Sequence, residues 1–554
     1  FPDKGFQFFF DGPRLSLGEL WQRAERVAAG LQEKGVKPGD VVGALLPTGP
    51  DILPVLVGIF RSGAVLAPLA VPAGRSLDVY IERLRHIITD GDMRFIVTDP
   101  RIAMLMRAQA DGVEVMTPDQ LLECTGQIAE VSTEPDQLAL VQYTSGSTAN
   151  PRGVSISNSQ LMAGIRAIAA GTQVCESDTL CSWLPLSHDM GLVSTLTIFG
   201  TGNPDTHHIS DPGAFIKDPA RWLRYFAEIG GTIYTGPNFS YQYMLKAFDG
   251  QSLDGLDLSR WRLALNGAEQ IDAHLLESFV ERFAQAGMAP TVPLPVYGMA
   301  EATLAVTFSD LEARAKVQWV DRELLADEMT VEQVDVDHPK ARGIVSVGTP
   351  VVGVELRIVG TRTGPRPSTP EAWQVWTGDV VPEGTVGEIE IRGDPVTSGY
   401  FQNPEATEEA MDHGWLKTGD LGYLDGGELY ITGRTKEMMI YKGQNYYPED
   451  VEACVRTLPG LYRRRCIAFV HREDSGAENM AVAVETGEKD PAALEALAES
   501  IRIRVKEAIG IGGIEVYLLA PRSIRRTTSG KYQRLLMRDR IENGSLQSLL
   551  KASG

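Results

Sequence analysis

The sequence predicts an α/β protein: two doubly wound α/β regions in succession, then a β-rich subdomain, then a small α+β unit. Three observations carry this expectation. Over roughly the first 300 residues, short apolar strands alternate with amphipathic helices, the pattern of a parallel sheet covered on both faces. Strand after strand there stops at a loop of glycine and polar residues, where open α/β sheets take their ligands. The texture then changes near residue 343, and again after Gly433-Arg434.

The elements follow in order. Leu17 to Glu33 carries Leu20, Ala24, Val27 and Leu31 at helical spacing, and Val41 to Leu46 reads as a buried strand. Ile52 to Gly74 is apolar, but Pro54, Pro68 and Pro72 interrupt it and Arg61 stands mid-span. An arginine there costs roughly 3 kcal/mol in lipid. A buried helix, a turn at Ser62-Gly63 and a buried strand Ala64 to Leu69 are predicted instead of a membrane span. Arg83 to Asp90 is predicted helical, and Phe95 to Val97 a strand. Leu138 to Val141 and Val154 to Ser157 read as strands either side of a loop, with a helix from Ser159 to Ala170. Leu180 to Pro185 ends at Leu186-Ser187-His188-Asp189. Ala220 to Ile229 is amphipathic, and Thr232 to Tyr234 stops at Gly236-Pro237-Asn238-Phe239. Leu263 to Leu265 stops at Asn266-Gly267-Ala268-Glu269, and Val292 to Val296 leads into Tyr297-Gly298-Met299-Ala300-Glu301.

Beyond 343, the runs Val354 to Val359, Gly387 to Ile391 and Glu428 to Ile431 predict a small barrel or sandwich. TRTGPRPSTPEAWQVWTGD is an exposed excursion from it. The last unit is organised round a helix carrying Leu494, Leu497, Ile501, Val505 and Ile509. The predicted domains are residues 1–435, with the β-rich part at about 343–433, and residues 436–554.

Composition excludes some partners. A formal net charge of −21 argues against nucleic acid and against an anionic membrane surface. The charge is uneven: residues 436–554 carry 19 Lys and Arg against 16 Asp and Glu, a net +3, and the body before them is −24. The five cysteines, Cys124, Cys175, Cys181, Cys454 and Cys466, form no CxxC, as expected of a cytoplasmic protein with reduced thiols. The N-terminal FPDKGFQFFF lacks the basic region of a signal peptide. No metal-ligand spacing occurs among Cys and His, and His207-His208 reads as a pair of loop histidines.

The run YTSGSTANPRGVSIS, Tyr143 to Ser157, packs glycine and hydroxyls between two strands. Glycine lets backbone approach an anion, N–H and O–H groups donate to its oxygens, and Arg152 adds a forked cation. Taken alone, such a run is more often a surface turn. Its company decides for a phosphate.

In that company the chain resembles the acyl-adenylate-forming superfamily, and within it the fatty acyl-AMP ligases. The motifs lie in the family's order over nearly the whole chain. The resemblance implies a large N-terminal domain and a small mobile C-terminal one. Thr144, Ser145, Gly146, Ser147, Thr148 and Arg152 match the phosphate-binding loop, although Ala149-Asn150 replaces its Gly-x step and Arg152 its lysine. LPLSHDMGL, Leu184 to Leu192, resembles the ligases' LPLYHDMGL, with Ser187 for tyrosine. It implies an orienting role for His188 and acyl contacts for Asp189 and Met190. GPNFSYQYMLKAF implies an acyl wall of Pro237, Asn238, Phe239 and Met244, although Met244 at helical spacing with Phe248 serves a core equally well.

Asn266, Gly267, Ala268 and Glu269, with Tyr297, Gly298, Met299 and Ala300, match the adenine loops. Glu301 matches the Mg²⁺ ligand, a hard oxygen donor. Alanine at 300, in YGMAEATL, is the ligases' residue where acyl-CoA synthetases mostly carry threonine, and VDRELL (Val320 to Leu325) resembles the ligases' insertion. TGDLGYL implies that Asp420 clamps ribose. GRTKE implies Arg434 as a second ribose contact and Lys436 as the hinge. Lys442-Gly443-Gln444-Asn445 resembles the turn facing the thiol acceptor. TTSGKYQR implies Lys531 as the catalytic lysine. The implied reaction uses ATP and Mg²⁺ to convert a carboxylic, expectedly fatty, acid to acyl-AMP for an acyl carrier protein. The basic run Arg522, Arg525, Arg526, Arg534, Arg538 and Arg540 is the expected carrier dock. Three other readings stay open: an acyl-CoA synthetase, a luciferase-like oxygenase and a non-catalytic nucleotide- or acyl-binding relative.

Overall fold

Two large sheets share the N-terminal body, and the chain crosses between them early. In the computed structural model, residues 3–72, 77–107, 112–144, 151–361, 378–441, 444–472, 478–527 and 531–552 are described. A six-stranded sheet runs Glu114–Met116, Phe95–Thr98, Val41–Leu45, Val65–Pro68, Leu138–Tyr143, Gly153–Ser157, parallel except for its last strand. Val41–Leu45 is buried at every residue, as a central strand between two helical layers must be. The helix Leu17–Glu33 starts at a capping box, Ser16 with Glu19, and buries Leu20, Ala24, Val27 and Leu31, the predicted stripe. The apolar stretch after it is a helix, Ile52–Arg61, and a strand, Val65–Pro68, as expected. No described helix is long and apolar enough to cross a membrane.

The second sheet has nine strands. Its parallel centre runs Pro293–Gly298, Leu263–Gly267, Ile233–Pro237, Thr179–Ser182, Thr206–Ile209, Gly5–Phe8. Two features of this sheet stand apart from the sequence expectation. The chain's first strand, Gly5–Phe8, pairs with Thr206–Ile209 and so joins the second sheet. His207 and His208 lie in a strand, not a loop. His207 is 1% exposed, packs 5.7 Å from Phe6, and has no hydrogen-bond partner at either ring nitrogen. Burial pushes it down to about 3, so it sits in the core as a neutral ring.

Five antiparallel strands follow, with Trp415–Asp425 pairing on one side with Gly387–Gly393 and on the other with Glu428–Arg434. The excursion at 362–377 lies outside the described residues. Before this sheet, Val317–Asp321 and Ala341–Val345 form a two-stranded ribbon, and Asp321 caps the helix Arg322–Asp327 between them. The C-terminal unit is a four-stranded sheet, Leu461–Arg472, Glu478–Thr486, Glu515–Leu519, Leu550–Ala552. Its helix Pro491–Ile509 buries Leu494, Ala498, Ile501 and Val505.

Candidate active site

Strand ends of both large sheets, the antiparallel sheet and the segment around Lys531 surround one cavity of about 1110 Å³. That exceeds the roughly 300–1,000 Å³ of a site for one drug-sized ligand, so two reactants fit together. Its lining divides into a charged end and an apolar arm.

The charged end is built where loops converge. Strand Pro293–Gly298 ends at Gly298, where a Cβ would lie 2.0 Å from the Leu304 carbonyl oxygen, so only glycine permits the turn. A 3₁₀ turn, Ala300–Ala302, then presents Glu301, whose carbonyl accepts the Thr397 N–H at 2.7 Å. The Tyr297 hydroxyl donates to Asp420 Oδ2 at 2.6 Å, and Arg434 Nε lies 3.0 Å from Oδ1. Asp420 and Arg434 face each other across adjacent strands, which fixes the pair in register. The Asp420 charge holds the Arg434 guanidinium firmly protonated, above its ordinary value.

His188 caps the helix Asp189–Thr201. Its Nδ1 lies 2.5 Å from Asp189 Oδ1 and 3.3 Å from the Met190 nitrogen. The Met190 N–H also donates to Asp189 Oδ1, at 2.6 Å, so His188 and Asp189 share this helix start. Burial works to raise the Asp189 carboxyl, but the His188 contact, with Lys531 adding, leaves it below its usual value. Lys531 is lowered, first by burial and next by Arg434, against the opposing pull of Asp189, Asp420 and Glu301. Glu301 is raised by burial. A lysine from the C-terminal unit and three carboxylates from the body therefore share one electrostatic environment with limited water.

Thr144, Arg152, Met190, Ala268, Met299 and Ala300 also line the cavity, as does Lys436. Ser145, Gly146, Ser147 and Thr148 lie outside the described residues, as does Lys442-Gly443. Asn266, Gly267, Asn238 and Glu269 are not in the lining. They stitch two loops together: Asn266 Nδ2 donates to Asn238 Oδ1 at 3.3 Å, and the Phe239 N–H donates to Glu269 Oε1 at 2.5 Å.

The apolar arm is not the wall expected from Pro237, Asn238, Phe239 and Met244. Strand alternation gives the reason. Ile233, Thr235 and Leu265 point to the cavity, whereas Tyr234 and Ala264 point to the opposite face. The helix Asn238–Ala247 lies on that opposite face. There Met244, 0% exposed, joins a core with Trp261 and Phe279, and Phe239 sets its ring edge-on to Trp183 at 5.9 Å. The arm is lined instead by Ile168, Val174, Leu180, Val296 and Phe308. The hydroxyls of Thr172 and Thr197 donate to the carbonyls of Ile168 and Val193, at 2.8 and 3.2 Å, so they make no demand on a ligand. Phe308 occupies the space above Gly171, where a Cβ would lie 2.4 Å from its ring.

Two residues were missed by the sequence reading. Tyr400 donates to Glu301 Oε1 at 3.0 Å, and the Arg152 guanidinium lies 5.5 Å from its ring centroid. Glu409 lies 3.5 Å from Arg152 and 3.8 Å from Lys436. The segment around Tyr400 pairs with the strand after the phosphate-type loop: Ser155 N–H donates to Gly399 O at 3.1 Å and Phe401 N–H to Gly153 O at 2.7 Å. Only that pairing, across more than 240 residues, could have nominated Tyr400. The basic run after Pro521 is corrected too. Arg534 is clasped by Glu437, Glu449 and Glu452, at 2.5, 3.0 and 2.6 Å, and Arg538 pairs with Asp539 at 3.0 Å. Arg525 and Arg526 line the cavity. Internal carboxylates and the cavity take up much of this run, so it is not a continuous outward face.

Comparison with known proteins agrees with this architecture. The family model described as AMP-binding enzyme matches residues 1–401, and that for the AMP-binding enzyme C-terminal domain matches residues 443–538. The "Putative ligase Rv1013" of Mycobacterium tuberculosis is 34% identical, over 94% of this chain and 93% of its own length. "Long-chain-fatty-acid--AMP ligase FadD26" of the same species is 31% identical, over 97% and 92%. A solved structure from work on fatty acyl-adenylate ligases of E. coli and L. pneumophila superposes with a TM-score of 0.89 at 30% identity, covering 98% of this chain and 96% of that one. This chain belongs to the AMP-binding enzymes of the acyl-adenylate-forming superfamily and is an enzyme of the fatty acyl-AMP ligase type.

Proposed function

We propose that this protein activates a fatty acid at the α-phosphate of ATP, with Mg²⁺, and passes the acyl group to the phosphopantetheine thiol of an acyl carrier protein. The observation that carries the reading is Lys531: a lysine of the C-terminal unit drawn in among Asp189, Glu301 and Asp420, in a cavity that also has an apolar arm.

In the first step a carboxylate oxygen forms a bond to the α-phosphorus, the bond to the bridging oxygen breaks, and pyrophosphate leaves. No covalent bond to the protein is needed. Lys531 steadies the carboxylate and the bridging oxygen as charge moves between them, and its limited hydration makes that contact stronger than in water. Asp420 and Arg434 hold ribose, with Tyr297 beside adenine. Thr144 and Arg152 serve the phosphates. Glu301 fits Mg²⁺: it would offer a hard oxygen donor in the lining it shares with Thr144 and Arg152. Bound there, the ion neutralises phosphate charge. His188, held by Asp189, orients the loop between nucleotide and acyl tail. In the second step the C-terminal unit turns about Lys436, and the thiol attacks the acyl carbonyl with AMP leaving.

The apolar arm, where the Thr172 and Thr197 hydroxyls are taken up within their own helices, favours an unsubstituted aliphatic tail. The test is pyrophosphate release over a panel of carboxylic acids, followed by acyl transfer to a carrier protein or to coenzyme A. Release with long-chain acids and transfer to the carrier support the reading. Preference for coenzyme A overturns the acceptor, and ATP binding without release overturns the ligase.

A further inference from the structure

We propose that the arginines of a bulge, Arg463 and Arg465, latch the C-terminal sheet to Tyr243 of the body and thereby hold Lys531 in the cavity for adenylation. The inference rests on the ligase reading above.

The strand Leu461–Arg472 pairs with Glu478–Thr486, but its register breaks. Leu461 faces Thr486, and Cys466 faces Val484, so five residue steps on one strand span two on the other. The surplus chain bulges outward as Tyr462-Arg463-Arg464-Arg465. Arg463 and Arg464 both take left-handed backbone, φ 51° and 53°, which side chains other than glycine seldom adopt. Strained bulges persist where they aim side chains at something.

Here the target is one phenol. Arg463 Nη1 donates to the Tyr243 oxygen at 3.3 Å, its guanidinium lies 5.7 Å from the ring centroid, and the nearby Arg465 charge adds to the pull on the same phenol. Arg465 also reaches back 3.4 Å to Glu485, which is fully buried. The other Glu485 oxygen accepts the Ile524 N–H at 2.7 Å. Ile524 opens the segment that carries Lys531, and Thr527 closes it: its N–H donates to the Lys531 carbonyl at 2.8 Å, and its hydroxyl accepts the Lys531 N–H at 3.0 Å. On the body side, Tyr243 packs edge-on against Phe239 at 5.4 Å, and Phe239 is bonded to Glu269. A continuous line of contacts thus joins a body helix, through the bulge and one buried carboxylate, to the backbone beneath Lys531.

Other contacts join these parts, among them Arg322 donating to the carbonyl of Ala508 in the helix Pro491–Ile509. Asn445 N–H donates to Asp327 at 3.0 Å, and Arg342 lies 3.1 Å from Asp450. Asn445 is nine residues from Lys436, where rotation displaces atoms least. The bulge is farther along the chain than Asn445, and through Glu485 it is bonded to the backbone of the lysine segment at Ile524. Arg463 and Tyr243 are therefore positioning residues acting through Lys531, and they serve one of the two steps.

The test compares the half-reactions in the full-length protein. Tyr243→Phe, which removes only the acceptor oxygen, lowers pyrophosphate release about tenfold. It leaves transfer from supplied acyl-AMP to the carrier within about twofold of wild type. Tyr243→Glu, which restores an acceptor between two guanidiniums, recovers pyrophosphate release. In ligand-free protein, Arg463→Glu speeds amide hydrogen exchange of Ile524 to Thr527 and leaves the helix Pro491–Ile509 unchanged. Equal loss in both half-reactions, or unchanged release with unchanged exchange, overturns the latch. Wild-type protein that releases pyrophosphate with no acid overturns the ligase reading instead, and the exchange measurement then judges the contact alone.

Discussion

At one end of the cavity Asp189, Glu301, Arg434 and Lys531, with Asp420 buried just behind the lining, arrive from different loops and strand ends, and each answers the charge of another. At the other end Ile168, Leu180, Ile233, Leu265 and Phe308 come from helix and strand faces and answer only the need to exclude water. The first construction tolerates few changes, because an unmatched charge with little water is costly. The second tolerates many, provided shape and volume are kept. Chemistry should therefore be fixed at the charged end and selectivity set at the apolar one.

The sharpest way to break this contrast is Lys531→Ala. Removing one positioned charge at the transition state is expected to cost about 10²–10³-fold in pyrophosphate release. Equilibrium dialysis should show ATP still bound, because Asp420 and Arg434, the proposed ribose contacts, remain. Asp420→Asn removes the carboxylate that faces Tyr297 and Arg434, and should raise the KM for ATP about tenfold with a smaller change in kcat. At the apolar end, Phe308→Ala should move the preferred acid to longer chains. Gly171→Val, which meets the Phe308 ring, should move it to shorter ones. Each methylene gained or lost is worth ~0.8 kcal/mol, about fourfold in kcat/KM, while the rate with the best acid stays near wild type.

The smallest effect is on pH. The Lys531 pKa lies below the ordinary 10.5, chiefly because burial disfavours its charge. Its protonated form, which the proposed adenylation uses, is lost as pH rises through that lowered value. The alkaline limb of pyrophosphate release should thus fall below pH 10.5, and Lys531→Arg should remove it. A limb unchanged in Lys531→Arg assigns it to another group.

The same contrast explains what could be read from sequence. The charged end was legible because its side chains sit in contiguous loops with distinctive chemistry, such as Tyr297 to Glu301 and Thr418 to Leu424. The alternating strands and helices were legible because burial imposes their periods. The apolar arm was not, since which face of Ile233–Pro237 borders the cavity depends on what packs behind it. For that reason the sequence leaves Met244 open between wall and core, and packing decides for core. Tyr400 was hidden for a related reason, reaching Glu301 only through pairing distant in the chain. Arg534 looked like docking surface because a basic run read in isolation shows no carboxylates. Its three partners lie at 437, 449 and 452.

The most direct test is mass-spectrometric detection of acyl-AMP from the purified protein with ATP, Mg²⁺ and a graded series of fatty acids. Acyl-AMP should form with wild type and fall at least about 10²-fold in Lys531→Ala while ATP still binds. Equal yields from the two proteins would contradict the charged end as the seat of adenylation.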